Sequence, residues 1–152
     1  MEIRQATVND VSTLQNLNDE VFVDNHKYDP DLKMDWAQSE TGKEYFTDVV
    51  NNPNAICLIA EENGKAIGYI AAAPKEFGYR LSKYLEIENM GVSPEHRSKG
   101  IGIKLMDECL SRAKNKGFQK VYVNAYFENV GAINFYEKSG FKKIDTSLER
   151  DI

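Results

Sequence analysis

The stretch YLEIENMGVSPEHRSKGIGIKLM, residues 84–106, passes from a strand-like pattern through a proline and two glycines into a helix-like pattern. Residues 84–92 predict a strand. From residue 101 onward the apolar residues recur at helical spacing. They are Ile101, Leu105, Met106, Cys109, Leu110 and Ala113. The stretch therefore predicts a strand followed closely by a helix.

The junction between the predicted strand and helix has the features of a phosphate cradle. Gly100 and Gly102 let a ligand approach the backbone, and the first turn of a helix offers free N–H groups at the positive end of its dipole. Arg97 and Lys99 add positive charge at the rim. The alternative is a solvated helix N-terminus with glycines for a tight turn. Leu105 stands where a dinucleotide fingerprint would need its third glycine.

The first half of the chain predicts a strand at residues 2–6, a helix after Thr7 or Asn9, and a long loop over residues 24–40. Thr41-x-x-Glu44 predicts a capping box for a second helix that runs to Val50. Two strands then flank Asn63-Gly64, a strong signal for a hairpin turn.

Beyond the opening stretch, residues 120–126 predict a strand, residues 130–139 a helix and residues 141–145 a last strand. This order combines an antiparallel meander with a strand–helix–strand crossover. It predicts an α/β fold (a mixed α+β sheet) with a central sheet flanked by helices. The 152 residues, 41% hydrophobic and 28% charged, predict one domain over residues 1–152.

Composition narrows the function classes. The N-terminus has neither a basic region nor an apolar run, and no long apolar segment follows, so a cytoplasmic protein without a membrane partner is expected. Cys57 and Cys109 lie in apolar patterns without a CxxC spacing or a nearby histidine. They are expected to be buried thiols, and no metal is predicted.

Charge is unevenly distributed along the chain. Residues 19–48 contain nine acids and three lysines, a local net charge of −6, whereas residues 97–120 contain seven bases and two acids, a local net charge of +5. The first segment suits a cation and the second an anion. Because the bases are spread around a predicted helix and the whole chain is acidic, no nucleic-acid partner is expected.

Two motifs resemble the GNAT superfamily of N-acetyltransferases. The first is Arg97-Ser98-Lys99-Gly100-Ile101-Gly102, which is similar to the family's acyl-CoA pyrophosphate motif Arg/Gln-x-x-Gly-x-Gly/Ala. The second is NAYFENVGAINFYEKSGF, residues 124–141, which resembles N-x-x-A-x-x-F-Y-x-x-x-G-F. The resemblance implies the GNAT acyltransferase fold, acetyl-CoA as cosubstrate and an N-acetyltransferase activity.

The resemblance also implies roles for individual residues. The backbone of Met90, Gly91 and Val92 would bind the pantetheine arm, and Asn129 would contact the same arm. A backbone N–H of Met90 or Gly91 would stabilise the oxyanion. The pyrophosphate would be bound by the amides of the first motif, which belong to Arg97, Ser98, Lys99, Gly100, Ile101 and Gly102.

Two side chains are candidates for proton transfer. Tyr136 resembles the family's general acid, which protonates the coenzyme A sulfur; the alternative is a structural anchor for the last helix. Strand alternation places Glu86 and Glu88 on one face of their strand, and Glu88 is the preferred general base. Glu86, or no dedicated base, are the alternatives.

The acceptor is expected to be a small cationic amine, such as a polyamine or an aminoglycoside. Asp24, Tyr28 and Trp36 are the candidate acceptor-binding residues of the acidic segment, through charge and cation–π contact; a solvated loop is the alternative. Acetylation of a protein or peptide amine and a non-catalytic acyl-CoA-binding module are the alternative functions. A homodimer is possible, although only residues 146–152 remain to complete a terminal hairpin.

Overall fold

The structure, a computed structural model, describes residues 1–152 and is centred on a five-stranded sheet. The strands follow one another in chain order across the sheet: β1 (Glu2–Gln5), β2 (Ile56–Glu62), β3 (Lys65–Lys75), β4 (Tyr84–Val92) and β5 (Lys120–Val123). Neighbours from β1 to β4 are antiparallel, whereas β4 and β5 are parallel. The predicted mixed sheet is confirmed.

The hairpin between β2 and β3 turns where the sequence predicts it. Asn63 has φ = 51° and Gly64 has φ = 76°, so both turn residues are left-handed. Such a turn matches the right-handed twist of the flanking strands, and asparagine and glycine tolerate that conformation best.

Four helices cover the sheet: α1 (Val11–Asn25), α2 (Glu40–Asn51), α3 (Ile101–Asn115) and α4 (Val130–Lys138). On one face, Leu14 of α1 and Phe46 of α2 are buried against Tyr69 of β3. On the other face, Leu105 of α3 is buried against Leu85 of β4, and α4 joins this cluster through partly buried aromatic side chains. The two apolar faces explain why every helix lies on the sheet.

The segment between α1 and α2 differs from the expected long loop. The first helix continues to Asn25, and a short 3₁₀ turn forms at Trp36–Gln38. The second helix begins at Glu40 because the Ser39 hydroxyl accepts a hydrogen bond from the Gly42 amide at 3.2 Å. The predicted Thr41-x-x-Glu44 capping box is therefore wrong, and Ser39 is the N-cap.

The predicted last strand is wrong as well. Residues 141–152 have no regular secondary structure, and β5 ends at Val123 instead of residue 126. No strand pairs with this segment, and its apolar residues Ile144, Leu148 and Ile152 remain exposed. As a result, the outer edge of β5 has no strand beside it.

A bulge in β4 shapes the middle of the sheet. Asn89 lies opposite Ala71 and Ile87 opposite Ala72, so Glu88 has no partner in β3. The pairing of β4 with β5 covers Tyr84 to Ile87 and ends there. Because β5 ends at Val123, the partner of Ile87, the last five residues of β4 have no strand beside them on this edge, and we call this open edge the gap between β4 and β5.

Cys57 and Cys109 are buried and form no disulfide. Burial raises the pKa of each thiol to about 12, which keeps both protonated at neutral pH. None of the helices combines the length and apolarity that crossing a bilayer requires.

Candidate functional site

The gap beside β4 exposes backbone groups of its last residues. The Val92 carbonyl accepts a hydrogen bond from Arg97 Nε at 2.9 Å, so it points away from β3. Because successive residues of an antiparallel strand alternate between the two edges, the N–H and C=O of Met90 point to the same side as those of Val92. The Met90 amide therefore faces the gap, whereas Gly91 faces β3.

Gly91 has a packing role of its own. A Cβ atom on this residue would lie 2.6 Å from Val21 Cγ2 and 3.5 Å from Tyr69 Cε1. The first helix thus packs directly on the backbone of β4, which brings the end of α1 next to the gap.

The loop before α3 presents a row of unused amides. Ser98 has φ = 62° and Gly100, the N-cap of α3, has φ = 78°. The amides of Ser98, Lys99, Gly100, Ile101 and Gly102 make no hydrogen bond within the protein, and the first amide of α3 with a backbone partner is that of Lys104. These donors fit an anionic group at the positive end of a 15-residue helix.

The two side chains at the rim of this loop differ. Arg97 bonds the Val92 carbonyl and forms an ion pair with Asp24 at the end of α1, so its charge is already partly compensated. Lys99 is exposed and has no hydrogen-bond partner. Of the two, Lys99 is the one whose charge is fully available to an anion.

Tyr136 lies on α4 between two aromatic rings. Its ring centroid is 5.5 Å from that of Phe135 and 5.8 Å from that of Phe141. Phe135 in turn lies next to Gly102, since a Cβ atom there would be 3.5 Å from the Phe135 ring. Burial raises the pKa of Tyr136 to about 12, so the hydroxyl keeps its proton at neutral pH. This hydroxyl makes no hydrogen bond within the protein.

Asn129 is the N-cap of α4. Its Oδ1 accepts a hydrogen bond from the Ala132 amide at 3.1 Å, while its NH₂ group has no partner in the protein. The side chain therefore fixes the start of α4 and still has two donors for a ligand.

Glu86 and Glu88 extend toward the α1–α2 face, opposite to Leu85 and Ile87. Burial raises the pKa of Glu86, Lys75 partly offsets this effect, and the neighbouring charge of Glu88 adds to it. Glu88 is exposed in the bulge and accepts a hydrogen bond from the Tyr45 hydroxyl at 2.9 Å. Glu86 already has a cation nearby, whereas the hydrogen-bond partner of Glu88 is a neutral hydroxyl.

The candidate acceptor residues of the acidic segment are all engaged in the protein. Asp24 pairs with Arg97, and the Trp36 ring stacks on Phe22 with a centroid distance of 5.7 Å. The Tyr28 ring stacks on Tyr126, 6.0 Å between centroids. Trp36 is therefore part of the aromatic packing beneath the loop, and Tyr28 belongs to a contact between two loops.

The contact between these loops includes residues that sequence reasoning did not single out. The Tyr126 hydroxyl donates a hydrogen bond to Asp29 Oδ2 at 2.8 Å, and partial burial together with this carboxylate raises the pKa of Tyr126 to about 12. Tyr126 lies in the sequence block 124–141, three residues before Asn129, and its position in that block was the available signal. No group of three or more His, Cys, Asp or Glu side chains is placed to hold a metal ion.

Comparison with known proteins agrees with this geometry. A model described as the acetyltransferase (GNAT) family matches residues 14–141. An uncharacterized N-acetyltransferase of Methanocaldococcus jannaschii is 28% identical over 142 residues, which are 93% of this chain and 60% of that protein. This chain thus spans less than two thirds of that relative's length.

Solved structures share the fold at low identity. A mutant of the BH1408 protein from Bacillus halodurans superposes with a TM-score of 0.87 at 21% identity, covering 100% of this chain and 99% of that one. The aminoglycoside N-acetyltransferase AAC(6')-Iy in complex with CoA has a TM-score of 0.76 at 17% identity, covering 99% and 98%. Both support the fold described above.

Proposed function

We propose that this chain, which belongs to the GNAT family of acetyltransferases, transfers an acetyl group from acetyl-CoA to a primary amine in a ternary complex. The observation that carries the proposal is the gap between β4 and β5, which lies next to the unused amides of residues 98–102. An extended thioester with an anionic tail fits this combination, because the gap offers backbone partners and the loop offers donors for phosphate.

The diphosphate of the cosubstrate would be bound by the amides of residues 98–102, with Lys99 at the rim. The pantetheine arm would lie along the free edge of β4 and reach the NH₂ group of Asn129. The thioester end of acetyl-CoA would then lie near the Met90 amide and Tyr136.

The reaction needs three contributions from the protein. Glu88 accepts the proton of the amine, directly or through water, so that the nitrogen lone pair attacks the acetyl carbon and a C–N bond forms. The Met90 amide donates to the oxygen that becomes negative. When the C–S bond breaks, Tyr136 donates its proton to the sulfur. The nitrogen loses its second proton, which returns through solvent to the Tyr136 phenolate, so that free coenzyme A and the neutral amide leave.

The acceptor is proposed to be a small cationic amine. Glu86 and Glu88 line the α1–α2 face of β4, and the acidic segment at residues 19–48 lies on that side of the sheet with a local net charge of −6. Several structural neighbours are described as aminoglycoside acetyltransferases, and this description supports the same class of acceptor.

The test of this function is a thiol-release assay with acetyl-CoA against polyamines, aminoglycosides, amino acids and basic peptides. We expect turnover with small polycationic amines and little with neutral-bodied amines. Preferred turnover of basic peptides would support a peptide acceptor instead, and absence of turnover with every amine, despite acetyl-CoA binding, would support a non-catalytic binding module.

Gly102→Asp should abolish binding of coenzyme A, because the carboxylate would place negative charge where the diphosphate binds. Isothermal titration calorimetry with acetyl-CoA measures the effect. Gly102→Ala is the matched control, since its Cβ atom would make only an ordinary contact with Phe135 at 3.5 Å. Unchanged affinity in a folded Gly102→Asp variant would contradict the proposed diphosphate site.

Tyr136→Phe should lower kcat and leave the affinity for acetyl-CoA nearly unchanged. The substitution removes the proton donor and keeps the ring between Phe135 and Phe141, so packing changes little. A general acid typically contributes ~10² to 10⁴-fold, and a loss in that range is expected if thiolate departure limits the rate. A fully active variant across the pH range would show that Tyr136 only anchors α4.

A homodimer is proposed through the free outer edge of β5. A groove beside this strand combines apolar Leu110, Ala113, Phe118 and Val121 with polar Lys114, Gln119 and Lys120. The C-terminal segment of the same chain exposes Ile144 and Leu148. Because one chain contains both surfaces, two copies related by a two-fold axis would cover both at once.

Removal of residues 142–152 should therefore convert a dimer into a folded monomer. Light scattering across a concentration series gives the mass, and circular dichroism monitors the fold. If the full chain is monomeric at every concentration, the segment does not mediate self-association.

A further inference from the structure

Three side chains from two elements meet beside the gap in the sheet. The Tyr45 hydroxyl of α2 lies 2.9 Å from Glu88 Oε1, and Asn89 Nδ2 lies 3.1 Å from the same hydroxyl. Glu88 and Asn89 belong to β4, more than 40 positions away in sequence. The tyrosine hydroxyl therefore connects α2 to the proposed base.

The direction of these hydrogen bonds follows from their chemistry. An ionised carboxylate has only acceptor sites, so the Tyr45 proton must point to Glu88. The remaining lone pairs of the hydroxyl can only accept, and the NH₂ group of Asn89 is the donor beside them. Asn89 Oδ1 is buried and has no partner, so the contact with Tyr45 is what orients this amide.

The bulge makes the arrangement possible. In a regular strand, consecutive side chains point to opposite faces, and Glu88 and Asn89 could not both reach one hydroxyl. Because Glu88 has no partner in β3, the strand is locally displaced and both side chains reach Tyr45.

The position of the Tyr45 hydroxyl is itself fixed by packing. The ring lies 5.7 Å from Trp36 and 4.9 Å from Phe46, measured between centroids. Phe46 is fully buried. Burial, together with the charge of Glu88, raises the pKa of Tyr45, so its proton remains available for the hydrogen bond at every working pH.

We infer that Tyr45 is a positioning residue, which holds the Glu88 carboxylate in one orientation. The inference rests on the proposed function, since it takes Glu88 as the base for the amine. The charged and titratable groups around this carboxylate are Tyr45 from α2, Glu86 on the same strand and, next to Glu86, Lys75 at the end of β3.

The orientation matters because a carboxylate oxygen must lie within hydrogen-bond reach of the amine to take its proton. Tyr45 bonds Oε1 of Glu88, which leaves Oε2 of the same carboxylate for the amine.

Tyr45→Phe tests the inference, because it removes the hydroxyl and leaves the aromatic ring in place. We expect kcat for the amine to fall about tenfold, the size expected when a hydrogen bond to a charged group is lost, whereas the KM for acetyl-CoA should not change. A purely structural role would instead lower the thermal stability and affect the kinetics with both substrates.

Two further variants make the result specific. Tyr79→Phe makes the same chemical change on an exposed ring and should leave kcat as in the parent protein. Glu88→Gln should lower kcat by itself, and adding Tyr45→Phe to it should cause no further loss, because coupled residues are not additive.

The outcomes separate the two proposals. If Glu88→Gln loses activity but Tyr45→Phe retains the parent kcat, Tyr45 does not position the base and the proposed function stands. If Glu88→Gln retains the activity, Glu88 is not the base, and the inference about Tyr45 is overturned with it. Thermal melting of each variant identifies any loss that is due to unfolding.

Discussion

The structure depends on the point at which β4 separates from β5. The two parallel strands pair over only four residues of each, and the bulge at Glu88 begins where this pairing ends. A parallel strand that continued to pair would close the backbone edge of Met90. Because it does not, the edge remains open next to the N-terminus of α3. The open edge and the free amides of the loop are consequences of one interruption in the sheet.

Two helices lie beside this open edge, one on each face of the sheet. Gly91 lets Val21 of α1 approach the β4 backbone from one face, and on the other face Phe135 of α4 packs beside Gly102 of α3 at ordinary contact distance. The two contacts bring α1 and α4 to the two sides of the open edge, so that an amine and a thioester could approach one another there.

Much of this arrangement could be predicted from sequence because it depends on local signals. The Asn63-Gly64 turn, the strand at residues 84–92 and the stripe on α3 each follow from periodicity or turn chemistry within a few residues. The last strand was predicted wrongly because the short run of apolar and basic residues at positions 141–145 resembles a strand. Strand pairing, however, depends on a neighbouring strand that the local sequence does not specify. The helix cap at Ser39 was missed because Thr41 and Glu44 offered a competing capping pattern two residues later.

The contacts around Glu88 could not be predicted for a different reason. Strand alternation accounts for Glu86 and Glu88 on one face, but a bulge depends on the register between two strands, so nothing in the sequence indicated that Asn89 would join them. Aromatic packing likewise depends on tertiary contacts. Trp36 was a candidate for a cation-binding loop, whereas the structure places it against Tyr45 with a centroid distance of 5.7 Å.

The acidic segment, residues 19–48, has fewer unpartnered carboxylates for an amine than its composition suggests. Asp24 is paired with Arg97, and Asp29 accepts the Tyr126 hydroxyl, so two carboxylates already have partners before any amine binds. The pair between Asp24 and Arg97 connects the acceptor side of the molecule to the loop proposed to bind the diphosphate. Both charges of this pair are therefore already compensated, and a ligand that binds either side chain must compete with the other.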